Sequence, residues 1–207
     1  MQVLPKGLRH IPNFLDFTAQ KALVETIRSI VEQAPLYRPV MPNNGKPFSV
    51  RMTNCGSLGW VSDQKGGYRY QDTHPKTNLP WPEIPKELLS IWNETSGTDY
   101  QPEACLINFY DQSARMGLHQ DKDEATFEAP VVSLSLGDTC LFRVGQTTRG
   151  GQTKSFKLNS GDVVVLSGES RLCYHGVDKI YPDTSPLLKN GGRINLTLRR
   201  VTGLIQN

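Results

Sequence analysis

The rhythm of apolar and polar positions changes along this chain. Over residues 18–34, Leu23, Ile27, Ile30, Val31 and Ala34 recur at helical spacing and Pro35 ends the run, which predicts a helix bracing a sheet. A second helix is predicted over 84–95, with Ile84, Leu88, Ile91 and Trp92 on one face and Gly97 just past its end. Residues 1–17 mix Pro5, Gly7 and Pro12 with Leu8, Ile11, Phe14, Leu15 and Phe17 and read as a short extended lead-in. After Pro102 the pattern becomes one of short strands, over 104–110, 131–136, 140–144, 154–158, 163–166, 172–175 and 193–199. Gly137-Asp138, Gly145, Gly150-Gly151, Gly161-Asp162 and Gly191-Gly192 fall between them. Strands at this spacing argue for a double-sheet jelly roll, so the expected class is α+β and mainly β.

Between these regions, residues 39–82 are punctuated by proline and glycine, yet Phe48, Val50, Met52, Leu58, Trp60, Tyr68, Tyr70 and Trp81 recur through them. Aromatics interleaved with Arg51, Lys65, Arg69 and Lys76 are what a base-stacking lid needs. Equally, they could pin a long insertion to the core. Trp81, in Leu79-Pro80-Trp81-Pro82, reads as such a pin; Trp60, Tyr68 and Tyr70 fit either role.

At 207 residues the chain has room for one well-buried core, which predicts a single domain carrying a lid. The net charge of +3 allows contact with phosphates without the dense basic footprint of a duplex-wrapping protein. Cys55, Cys105, Cys140 and Cys173 show no C-x-x-C spacing and read as reduced thiols of a cytoplasmic protein. The start, Met1 to Gly7, lacks a charged segment followed by an apolar one, and no run is long enough to cross a membrane, so neither export nor anchoring is expected. Nothing demands a protein partner, and a monomer is expected.

Chemistry concentrates at Leu118-His119-Gln120-Asp121-Lys122-Asp123-Glu124. If this stretch is extended, His119 and Asp121 leave the same face and can share one ligand. Of the four histidines, His175 follows a strand-like run, and His-x-Asp with a distant His is the sequence form of the two-histidine, one-carboxylate iron triad. An isolated His-x-Asp is commonly a surface pair. Strand 193–199 changes the balance, because Arg193, Asn195, Thr197 and Arg199 share one face and Ile194, Leu196 and Leu198 the other. Paired arginines beside a metal triad suggest a 2-oxoacid cosubstrate. Asn108 and Tyr110 share a face of an earlier strand and could hydrogen-bond its carboxylate.

These segments resemble the bacterial AlkB alkylation-repair dioxygenases. The likeness rests on Asn108-Phe109-Tyr110, Leu118 to Glu124, Gly161-Asp162-Val163-Val164-Val165, Gly168-Glu169-Ser170-Arg171, Tyr174-His175-Gly176 and Arg193 to Arg199. It extends upstream through Met52 to Gly56, Leu58-Gly59-Trp60 and Thr77-Asn78 with Pro80-Trp81-Pro82. Departures include Asp111-Gln112-Ser113 in place of a Pro-Gly turn, and an extra glycine at Gly66-Gly67. The resemblance implies a double-stranded β-helix core over 104–200, a nucleotide-recognition lid over 39–82, and dependence on Fe(II), 2-oxoglutarate and O2. It implies iron ligands His119, Asp121 and His175, and 2-oxoglutarate contacts Asn108, Phe109, Tyr110, Arg193, Asn195 and Arg199, with Arg193 at the distal carboxylate and Arg199 near the metal-bound end. Trp60, Tyr68, Arg69, Tyr70, Asp123 and Arg149 become nucleotide contacts, Trp60 stacking on the base and Asp123 reading its exocyclic amine. The implied reaction is oxidative demethylation of N-alkylated bases in single-stranded or flipped-base DNA, with RNA as a second candidate, releasing formaldehyde, succinate and CO2. Two readings compete with it: the same cofactors acting on a protein or small molecule, and an idle jelly roll that binds without turnover. Zinc deamination is disfavoured, because His-x-Glu with Pro-Cys-x-x-Cys is missing.

Overall fold

The computed structural model describes residues 4–203, so Met1 to Val3 of the lead segment lie outside the described residues. In chain order the elements are β1 (Leu8–Ile11), α1 (Phe17–Gln33), β2 (Arg51–Gly56), β3 (Gly59–Asp63), β4 (Gly67–Gln71) and α2 (Lys86–Thr95). They continue with β5 (Ala104–Tyr110), β6 (Met116–His119), β7 (Val131–Gly137), β8 (Cys140–Val144), β9 (Lys154–Leu158), β10 (Val163–Leu166), β11 (His175–Ile180) and β12 (Arg193–Arg199). Six strands form one sheet in the order β1-β10-β7-β12-β5-β2, four form a second in the order β6-β11-β8-β9, and β3 and β4 stand apart as a hairpin.

The two helices form where the periodicity places them, with ends set by local chemistry. The Asp16 carboxylate accepts from the Ala19 amide at 2.8 Å and starts α1. The second helix begins at Lys86 rather than Ile84, because the residue before Pro85 is held out of helical geometry. Both press their apolar faces onto the six-stranded sheet. Leu23, Ile27, Leu88, Ile91 and Trp92 meet Ile107, Leu134, Leu196 and Leu198 there, all buried.

Strand β12 is the centre of that sheet, pairing with β5 on one side (Leu196 opposite Ile107) and β7 on the other (Leu196 opposite Leu134). Its alternation is resolved by two interiors rather than by solvent. Ile194, Leu196 and Leu198 face the helices, while Arg193, Asn195, Thr197 and Arg199 line a cavity on the opposite face, and all seven residues are buried. A second apolar cluster, with Met52, Leu106, Val164 and Leu166 from the six-stranded sheet and Phe142, Val144, Val177 and Ile180 from the four-stranded one, fills the space between the sheets.

Several expectations need correction. The strand expected over 172–175 begins only at His175 and runs to Ile180. The backbone of 172–174 is instead committed to loops: Leu172 O accepts from Gln120, Cys173 N donates to Ser170 O, and Tyr174 exchanges bonds with Gln146 and Gly145. The lead-in is extended as expected and forms an edge strand, β1, paired with β10. The loop-rich segment 39–82 contains β2, β3 and β4. In the β3–β4 turn Gly67 takes φ +69°, and the Asp63 carboxylate accepts from the Lys65 and Gly66 amides. Gly59 lets the hairpin approach its support, since a Cβ there would fall 2.4 Å from the Trp81 ring. Trp81 is therefore the pin it was read to be. Among the described residues no helix is long and apolar enough to cross a membrane, and all four cysteines are free and buried.

Because Leu196 is fully buried between both neighbouring strands and the helices, Leu196→Ala is expected to lower unfolding stability by about 2–5 kcal/mol. Denaturant titration measures it, and a loss under about 1 kcal/mol would show that this layer is not the packed core.

Candidate active site

The cavity between the sheets has a volume of about 320 Å³ and opens beneath the β3–β4 hairpin. His119 is the last residue of β6, and its register partner on β11 is His175, so the pairing of these two strands sets the imidazoles side by side with ring centroids 4.6 Å apart. Asp121 lies two residues on, just past the end of β6, and its carboxylate meets the His119 ring on one side of the chain. His119 Nε2 is 3.7 Å from Asp121 Oδ1, and His175 Nε2 is 3.7 Å from Oδ2.

The three side chains suit a divalent metal on their own chemistry. His119 Nδ1 lies 3.0 Å from Gly117 O and His175 Nδ1 3.0 Å from Cys173 O. A carbonyl only accepts, so each Nδ1 carries a proton and each Nε2 is the ring atom turned toward Asp121. One ligand atom from each residue lies within 4.8 Å of the others, and Asp121 Oδ2 is buried without a hydrogen bond. Burial pushes the Asp121 carboxyl up, but Arg199, His175, His119 and Arg171 outweigh it and hold the group well below the usual carboxylate range. Burial, reinforced by His119, pushes His175 down to about 4, which keeps its ring neutral at physiological pH. An ionised carboxylate and two imidazoles presenting Nε2 are the donor set that ferrous iron takes, with positions left open.

Behind the triad is a buried ionic network. Arg199 Nη2 is 2.9 Å from Asp121 Oδ1, and Arg199 Nε lies 3.5 Å from Glu124 Oε1, an ion-pair distance without hydrogen-bond geometry. Arg171 donates to Asp121 O at 2.7 Å, to Ala129 O at 2.9 Å and to Glu124 Oε2 at 3.3 Å. Two guanidiniums and two carboxylates neutralise one another here. Removing one partner from such a set costs about 3–5 kcal/mol, because a charge is left buried and unpaired. Tyr70 closes the group: its hydroxyl donates to Glu124 Oε1 at 2.6 Å and accepts from Arg199 Nη1 at 3.3 Å.

Deeper in the cavity, Arg193 donates to Ser135 Oγ at 2.9 Å and lies 5.2 Å from the centroid of the Tyr110 ring, while its Nε and Nη1 are buried without partners. Asn108 Oδ1 is likewise unpartnered. A buried cation with two free donors fits an organic anion. At the mouth, Trp60 stacks on Tyr68 with centroids 5.6 Å apart and planes at 20°, and its indole N–H donates to Asp123 Oδ2 at 2.8 Å. Arg149 also lines the cavity, 5.8 Å from the Tyr174 ring centroid.

Thirteen of the expected site residues thus line one cavity, and two do not. Phe109 falls on the opposite face of β5 from Asn108 and Tyr110, packing toward the helices under the Arg51 guanidinium. Arg69 falls on the opposite face of β4 from Tyr68 and Tyr70 and pairs with Asp63 at 2.8 Å. Sequence reasoning missed the roles of Glu124, Arg171 and Ser135. Glu124 and Arg171 lay inside the motifs carrying the family resemblance, but a run of charges reads as solvated until its partner is located.

Sheets, triad and neighbouring cation together define an Fe(II) dioxygenase that takes a 2-oxoacid. The chain belongs to the 2OG-Fe(II) oxygenase superfamily, whose family model matches residues 7–199. Within it, the chain is an AlkB homologue and an α-ketoglutarate-dependent dioxygenase, with His119, Asp121 and His175 as the iron triad. It is 50% identical over 208 residues to the "Alpha-ketoglutarate-dependent dioxygenase AlkB homolog" of Caulobacter vibrioides, covering 97% of this chain and 93% of that one. To "Alpha-ketoglutarate-dependent dioxygenase AlkB" of Escherichia coli it is 42% identical over 188 residues, covering 89% and 86%. The solved structure of OsALKBH1 superposes with a TM-score of 0.76 at 32% identity, covering 96% of this chain and all of that one.

In the metal-free protein, neutral His175 sets a pH dependence. Its folded pKa of about 4 lies below the ordinary 6.5, so its contribution to stability is fully present above about 6.5 and is lost as pH falls through about 4. Denaturation at pH 7, 5.5 and 4 is expected to show wild type losing more stability than His175→Gln. Parallel losses would contradict it.

Proposed function

We propose that this chain removes alkyl groups oxidatively from N-alkylated bases of the 1-methyladenine and 3-methylcytosine type, in single-stranded or flipped-base DNA and in RNA, as a direct-reversal repair enzyme. On this reading the two facing sheets are a double-stranded β-helix over 104–200, and residues 39–82 are a nucleotide-recognition lid within the same domain. The observation that carries it is the Trp60–Asp123 pair at the cavity mouth. It offers an aromatic face and a carboxylate at one point above the triad.

Each part has a physical task. Alkylation at the pairing edge makes the base cationic, and Asp123 Oδ1 is free to accept from its exocyclic amine while Oδ2 is held by Trp60. A charge-assisted bond at that point favours the damaged base over the neutral one. A damaged base is also cheaper to unpair and flip, which favours lesions and single strands further. Trp60 and Tyr68 supply stacking surface, and Arg149 a cation for the backbone. Arg193 holds the far carboxylate of 2-oxoglutarate with its unpartnered donors, and Asn108, Tyr110 and Asn195 line the space beside it. When bound, ferrous iron with 2-oxoglutarate and O2 supplies the oxidising power that no side chain has, and the hydroxylated methyl group leaves as formaldehyde. The protein holds the methyl group toward the open side of the triad.

Incubation with Fe(II), 2-oxoglutarate and a 1-methyladenine oligonucleotide is expected to yield succinate, formaldehyde and unmodified adenine. Asp123→Asn is expected to lower kcat/KM about ten- to a hundredfold, the worth of a charged hydrogen bond. Release of neither succinate nor formaldehyde by wild type would remove the proposal.

A further inference from the structure

Trp60 on β3 and Tyr70 on β4 are register partners across the hairpin, and they bind consecutive residues of the segment that follows Asp121. The two contacts differ in kind. Trp60 meets Asp123, which is exposed, whereas Tyr70 meets Glu124, whose carboxylate is buried between Arg171 and Arg199. Tyr70 lines the cavity, yet its one polar atom is spent twice on the ionic network, as donor to Glu124 and as acceptor from Arg199. The Tyr68 hydroxyl, on the same face two residues earlier, makes no hydrogen bond among the described residues. From Tyr70 the chain of contacts is short: the hydroxyl to Arg199, and Arg199 to Asp121 Oδ1 at 2.9 Å.

We propose that Tyr70 and Glu124 are positioning residues that lock the β3–β4 hairpin to the iron ligand Asp121, making lid order and metal binding one coupled equilibrium. Arg199 has two carboxylates to choose from, and Glu124 fixes its plane only while the Tyr70 hydroxyl holds Glu124 and Arg199 together. When the hairpin lifts, Arg199 loses that support and swings toward Glu124, loosening Asp121. When a metal draws Asp121 inward, Arg199 follows and the hairpin is pulled down. Coupling of this kind is reciprocal by necessity. The identity of the hairpin's cargo rests on the nucleotide-lid reading above; the link to the metal does not, and the cobalt titration and amide exchange that test it use no nucleic acid.

Cobalt(II), a redox-silent probe under these conditions, is titrated into metal-free wild type and Tyr70→Phe, and amide exchange over 59–71 is followed in both. Tyr70→Phe keeps the ring and its packing, so it retains the fold even if Glu124→Gln, which leaves one buried guanidinium unmatched, does not. The expected results are cobalt-dependent protection of the hairpin amides in wild type, loss of that protection in Tyr70→Phe, and about tenfold weaker cobalt binding, the lower end for a residue behind a metal ligand. Tyr68→Phe is expected to keep both wild-type values. Equal protection and equal affinity in wild type and Tyr70→Phe would overturn the inference, as would a lack of cobalt-dependent protection in wild type. A Tyr70→Phe protein that binds cobalt normally but oligonucleotide poorly would make Tyr70 a nucleotide contact instead. Failure of demethylation with these cobalt results intact would count against the substrate reading alone.

Discussion

The ion pair between Arg199 and Asp121 is the contact on which this molecule turns. It holds an ionised carboxylate in a buried site, where charge is tolerated only if it is matched. Burial alone would drive Asp121 to take a proton, and a protonated carboxyl is a poor partner for a divalent cation. Arg199 prevents that, and it comes from β12, the central strand of the larger sheet. The fold and the metal site are therefore linked through one strand. Its apolar face anchors it under the helices, and its polar face delivers Arg199 to the triad and Arg193 to the depth of the cavity.

The same logic explains why the site needs more charge than a three-ligand description contains. A guanidinium placed beside Asp121 must itself be held, and Glu124 and Arg171 complete a neutral set around it. This leaves Arg199 committed to protein carboxylates. Arg193, by contrast, keeps two buried donors without partners, and on the proposed reading these meet the far carboxylate of the cosubstrate. Two arginines that look equivalent on one strand face thus differ in their surroundings: one is paired with Asp121, and the other keeps two buried donors without partners.

Much of this was legible in the sequence, and the reason is specific. Alternation in Arg193-Ile194-Asn195-Leu196-Thr197-Leu198-Arg199 marks a strand whose polar face is too structured for solvent, and the His-x-Asp with a distant His marks the metal. The strand expected to end at His175 instead starts there. Leu172, Cys173 and Tyr174 look like a strand interior, while Gly176, Asp178 and Lys179, which are in the strand, look like a loop. The β3–β4 hairpin was hidden for a related reason, since Gly66 and Gly67 dominate a short segment whose strand signal is only Trp60, Val61, Tyr68 and Tyr70. Phe109 and Arg69 were placed by adjacency in a motif, and strand alternation sends both to the far face. Glu124 and Arg171 were illegible as buried groups because each requires a partner far along the chain.

The most direct measurement is a crystal structure of the protein with manganese(II) and 2-oxoglutarate under anaerobic conditions. The expected result is one ion bonded by His119, Asp121 and His175, the far carboxylate of 2-oxoglutarate on Arg193, and Arg199 still paired with Asp121. An ion bound elsewhere, or a dicarboxylate that draws Arg199 away from Asp121 and leaves Arg193 unpartnered, would contradict it.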